Sequence, residues 1–89
     1  MKMMNNEIIA VADQRLAAVE GHVKAIRKMV ADKRDCEEIL TQLSAVESAI
    51  NRIGKIYLKH HLNHCVKEGI KNGDADIFDK FSKVLEKYL

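Results

Sequence analysis

Apolar residues at Ile9, Ala12, Leu16, Val19, Val23, Ile26 and Val30 recur in alternating steps of three and four, and the spacing returns at Ile39, Leu43, Val46, Ile50, Ile53 and Tyr57. Only a helix gathers such positions on one face, because its period of about 3.6 residues falls between the two steps. The chain has no proline to break either run. Between the runs lies the charged cluster Asp32, Lys33, Arg34 and Asp35, so the first helix is expected from about Glu7 to Asp32. A connection this short implies an antiparallel hairpin.

Asp35 with Glu38 three residues on has the form of a capping box, which puts Cys36 at the first position of the second helix. That helix is expected to stop at Asn72 and Gly73, a pair that readily takes positive φ, or earlier near Gly69. Asp74 is placed to cap a third helix running through Leu89, whose apolar face is Ile77, Phe78, Phe81, Val84, Leu85 and Tyr88. The expectation is therefore one domain over residues 1–89 with an all-α fold, a three-helix subunit made of a long antiparallel hairpin and a short C-terminal helix. A chain of 89 residues builds a marginal core alone. Oligomerisation is the expected remedy.

Both cysteines and three of the four histidines fall on the second helix. At about 1.5 Å per residue, Cys36 and His61 are separated by about 37 Å along the axis and cannot share a ligand within one helix. Yet at roughly 100° per residue His61 returns to within about 20° of the Cys36 direction, and Cys65 to about 20° on the other side. Two such helices packed antiparallel, crossing near the small residues Ser48 and Ala49, would set Cys36 of one chain beside His61 and Cys65 of the other. Twofold symmetry makes two identical sites. By the same rotation His60 and His64 point off this face. Two thiolates and an imidazole suit a soft ion such as Cu(I), with Zn(II) or Ni(II) less well matched unless a fourth ligand is found. Plain packing is the competing role, since cysteine often only fills space in a core.

The formal charge of +2 is too small to imply a polyanionic partner by itself, so a nucleic-acid role would rest on local clustering. The N-terminus lacks the apolar run and small-residue cleavage site of a signal peptide, and no stretch of 18 apolar residues offers a membrane span. A cytoplasmic protein with no membrane partner is expected. In that compartment two cysteines read as ligands or redox reporters rather than as a structural disulfide. No nucleophile, base and oxyanion constellation is present, so an enzyme is not expected.

Arg15–Leu16 with Glu20–Gly21, Ile26 with Lys28–Met29–Val30, Asp35–Cys36, Ile39 to Gln42 with Ser44–Ala45–Val46, and above all Cys36, His61 and Cys65 resemble the CsoR/RcnR-type bacterial repressors, closest to the copper-sensing pattern. The resemblance implies an antiparallel homodimer assembled into a homotetramer that binds operator DNA and is released by its ligand. It further implies Cu(I) in a trigonal Cys36, His61, Cys65 site, and DNA contacts at Arg15 and Arg52, with Lys24, Arg27, Lys28, Lys55 and Lys59 available to enlarge the patch. The nickel and cobalt branch uses a further ligand near the N-terminus, where this chain offers only Met3 or Met4. The persulfide branch links two cysteines across the dimer and lacks the histidine. A reactive-sulfur sensor built on Cys36 and Cys65, needing no metal, and a nickel or cobalt sensor stand as alternatives. Where relatives carry two arginines this chain has Ala17 and Ala18, which motivates a third alternative, a metal-binding helical assembly without a DNA role. His22, where relatives carry glutamine, reads as a surface residue.

Overall fold

A computed structural model describes residues 6–88, apart from the side chains of Cys65 and Val66; Met3, Met4 and Leu89 lie outside it. Every regular element among the described residues is helical: α1 (Asn6–Ala31), α2 (Cys36–His60), a π-helical segment (His61–Val66), α3 (Lys67–Lys71) and α4 (Ile77–Glu86). The second helix expected from the sequence is thus α2, the π segment and α3 in succession, and the third is α4. None of the helices is long and apolar enough to cross a membrane. The fold comprises two compact units, one ending at Ile53 and the other beginning at Gly54.

In the first unit α1 and the opening turns of α2 form the antiparallel hairpin. Its register is set by His22 opposite Gln42, by Arg15 and Arg52 on one shared groove, and by Val23, Ile26 and Val30 beside Leu43 and Val46. The apolar seams are buried only in part. Ala12, Ile26, Val46 and Ile53 are inside, whereas Leu16, Val23, Val30, Leu43 and Ile50 stay exposed, Val30 at 57%. Two helices cover each other along one stripe, and the flanking apolar positions need a further neighbour.

The turn of the hairpin is a Schellman closure. Arg34 N–H donates to the Met29 carbonyl at 3.0 Å and Lys33 N–H to Val30 at 3.1 Å, with Lys33 in the left-handed region at φ 57°. The same motif ends α3. Asp74 N–H reaches Gly69 at 2.8 Å and Gly73 N–H reaches Ile70 at 3.1 Å, here with Gly73 at φ 76°. The stop expected at Asn72 and Gly73 is therefore present, for the conformational reason given.

The second unit corrects two expectations. Asp74 does not cap α4, which starts at Ile77; its Oδ1 accepts the Asp76 N–H at 3.0 Å and closes a local turn instead. Phe78 is not on the docked face but 62% exposed, while Ile77 is buried against Gly69. Position 78 is about 100° of helix away from position 77, so one of the two must leave the packed face. Tyr88 lies over Gly54 so closely that a Cβ there would overlap its ring.

These arrangements predict measurable stabilities. Lys33→Gly should raise unfolding stability by about 1 kcal/mol, because it removes the left-handed penalty of a Cβ, and Gly73→Ala should lower it by about the same amount. Gly54→Ala should cost about 1–3 kcal/mol by displacing the Tyr88 ring. Urea midpoints at fixed protein concentration read all three.

Candidate functional site

Cys36 is the first residue of α2, and its thiol is exposed and free. Asp35 sets its position. The Asp35 carbonyl accepts the Ile39 N–H at 3.1 Å and its Oδ2 accepts the Glu37 N–H at 3.2 Å. The expected reciprocal half of the capping box is absent, because Glu38 pairs with Arg34 at 2.7 Å. A guanidinium competes better for a carboxylate than a backbone amide does.

His61 and Cys65 share the π segment, His61 as its first residue. Here a uniform count of 3.6 residues per turn fails. Hydrogen bonds from i to i+5 widen the turn, so each residue adds less rotation than in an α-helix. The widening coincides with the proposed ligands, and π turns of this kind are common at functional sites. His61 is half-buried, its ring centre 6.2 Å from that of Phe81 with the planes 26° apart. The side chain of Cys65 lies outside the described residues.

His60 is the residue that helical arithmetic misses. That arithmetic points it away from anything of interest, yet it is only 8% exposed, its Nδ1 is buried without a hydrogen-bond partner, and its ring centre lies 4.5 Å from that of His64. A signal was present: His60 is the last residue of α2, and continuing the steps of three and four beyond Ile53 and Tyr57 lands on it, so the apolar seam itself turns this ring inward. Among the described residues, no three His, Cys, Asp or Glu side chains of the chain gather into a group able to hold a metal ion.

Within the first unit, Arg15 and Arg52 line one groove of about 170 Å³, with Ala18, Val19, His22 and Ala49. Arg15 and Arg52 are both exposed. Ala18 and Ala49 keep the space between the two guanidinium groups open. His22 is not a free surface residue: it is half-buried and its Nε2 is 2.7 Å from Gln42 Oε1. Lys24, Arg27 and Lys28 line a neighbouring shallow groove on α1 with Gly21 and Ala25.

The metal-sensitive transcriptional repressor family matches residues 10–87 of the chain. The chain is 38% identical to the copper-sensing transcriptional repressor CsoR of Bacillus subtilis (strain 168), with 92% of each chain covered. Its fold is similar to that of the copper-sensing repressor CsoR with Cu(I) from Geobacillus thermodenitrificans NG80-2, at a TM-score of 0.90 and 34% identity over 99% of this chain and 93% of that one. The nickel-responsive transcriptional regulator InrS is similar at a TM-score of 0.75 and 26% identity, over 100% of this chain and 98% of the other.

Proposed function

Because this chain belongs to the metal-sensitive transcriptional repressor family, we propose that it holds operator DNA when metal-free and releases it when Cu(I) binds Cys36 of one subunit together with His61 and Cys65 of an antiparallel partner. The observation that carries this reading is the division of the donors. An exposed thiol opens α2, an imidazole and a second cysteine occupy the one turn that follows its end, and no ion-holding group of three forms among the described residues of one chain. The donor set fits the ion. Two thiolates and one imidazole satisfy three-coordinate Cu(I), whereas Ni(II) and Zn(II) call for a fourth ligand.

A dimer and a tetramer are supported by the apolar residues the hairpin leaves uncovered, since Leu16, Val23, Val30, Leu43 and Ile50 remain exposed. Each chain's role in the switch is then to present half of a site. Drawing two chains into one coordination sphere favours one quaternary arrangement by as much as affinity differs between the two states. DNA binding is assigned to the groove flanked by Arg15 and Arg52, where two fixed cations can straddle a phosphate. The loss of basic side chains at Ala17 and Ala18 leaves that pair, with Lys24, Arg27 and Lys28, to supply the charge.

The free, exposed thiol of Cys36 also suits the second reading, a reactive-sulfur sensor in which Cys36 and Cys65 link across the dimer. Mass spectrometry after persulfide treatment separates the two, because only the sulfur sensor yields a crosslinked dimer.

Subunit mixing tests the shared site. Cys36→Ala and Cys65→Ala chains should each lose Cu(I) binding alone, and a one-to-one mixture should regain about a quarter of the parent capacity, because random pairing under twofold symmetry leaves about one site in four intact. A mixture as inert as its components, or either variant binding as the parent does, overturns the assignment. For DNA, fluorescence anisotropy with the protein's own upstream promoter should show that Arg15→Ala and Arg52→Ala weaken binding at every sequence. Each should also reduce the slope of log affinity against log salt by about one for every phosphate no longer neutralised.

A further inference from the structure

We propose that His60 and His64 form a second metal site, a two-imidazole chelate for a square-planar or octahedral divalent ion such as Ni²⁺. It lies beside the His61 and Cys65 positions but uses neither residue. The inference stands independently of the Cu(I) reading, since it rests on different donors and on geometry within one unit.

His60 supplies the first argument. Its ring is 8% exposed, and its Nδ1 is buried with no hydrogen-bond partner. A buried ring nitrogen without a hydrogen-bond partner is costly to keep, and in the tautomer that leaves Nδ1 unprotonated a bound cation is one of the few partners that removes the cost. His64, four residues on, is exposed, so an ion has a path from solvent to the buried ring.

Ring geometry supplies the second. The two ring centres are 4.5 Å apart and the planes are inclined by 33°. With metal–nitrogen bonds of about 2.1 Å and ring centres about 1.2 Å beyond the nitrogen, two imidazoles at a right angle around one ion stand about 4.6 Å apart, whereas a tetrahedral angle spreads them to about 5.4 Å. The observed separation matches the right angle. Divalent ions that favour it and bind imidazole, of which Ni²⁺ is the one titrated below, fit this pair better than tetrahedral Zn²⁺.

Donor chemistry keeps the two sites apart. A pair of neutral imidazoles without thiolate selects a borderline ion, while the soft ion goes to sulfur. His61 turns its ring toward Phe81, 6.2 Å between centres. With no third His, Cys, Asp or Glu joining a metal-holding group among the described residues, water completes the coordination and the ion stays exchangeable.

The test uses the full chain with both thiols replaced, Cys36→Ser with Cys65→Ser, so that thiolate binding cannot contribute. Titrated with Ni²⁺ in a calorimeter, this chain should take up one ion per subunit. Adding His64→Gln should weaken that binding at least about tenfold, as loss of one of two protein ligands requires, and His60→Gln should do the same. His64 is exposed, so its variant should retain the parent's far-ultraviolet helicity, and it decides the matter if His60→Gln unfolds. Undiminished Ni²⁺ affinity in the His64→Gln chain, or no uptake by the thiol-free chain, overturns the proposal. A failure of the Cu(I) reading would be seen instead in the parent chain with its thiols intact.

Discussion

Apolar surface that one chain leaves uncovered governs this protein. The hairpin of α1 and α2 buries Ala12, Ile26, Val46 and Ile53, yet leaves larger neighbours on the same seams facing water. At roughly 25 cal/mol per Å² of buried apolar area, side chains such as Leu16, Val23 and Leu43 represent stabilisation that only another surface can supply. The proposed chemistry has the same incompleteness. In the proposed reading one subunit carries donors at the two ends of α2 and cannot close a ligand shell with them, so an assembly that covered the seams would also complete the proposed site.

The π segment is where local geometry and donor chemistry meet. His61 and His64 lie within this wider turn, where each residue adds less rotation than in an α-helix. His60, the last residue of α2, is buried in its unit, while His61, the first residue of the wider turn, is half-buried beside Phe81. Such a turn forgoes regular α-helical hydrogen bonding and endures when surrounding packing supports it, here the α4 residues Ile77 and Phe81 together with Tyr88 over Gly54. On this account the short C-terminal helix supports the turn that carries the proposed ligands.

The basic groove follows a different logic. Two arginines from the two helices of the hairpin flank alanines, and His22 is tied to Gln42 across the same interface. Antiparallel register brings Arg15 and Arg52 together although 36 residues of sequence lie between them. In the proposed DNA role, concentrating charge in one cleft would compensate in position for what the chain lacks in number, because a phosphate responds to the nearest cations far more than to net charge.

What sequence alone determined is the part that depends on period and on local caps. Steps of three and four with a short connection specified the hairpin, Asp35 specified the start of α2, and Asn72–Gly73 specified the stop, because each is decided by interactions within a few residues. The proposed donors Cys36, His61 and Cys65 were read from helical arithmetic and from likeness to a family, and the proposed DNA contacts Arg15 and Arg52 from that likeness alone. Only tertiary structure decided the rest. It exposed Phe78, set Asp74 to a turn rather than a cap, gave Glu38 to Arg34 and tied His22 to Gln42. Each of these outcomes is a competition among partners distant in sequence or close in energy, and a π turn leaves no trace in hydrophobic spacing, since packing around it and not its own residues selects the wider hydrogen bond.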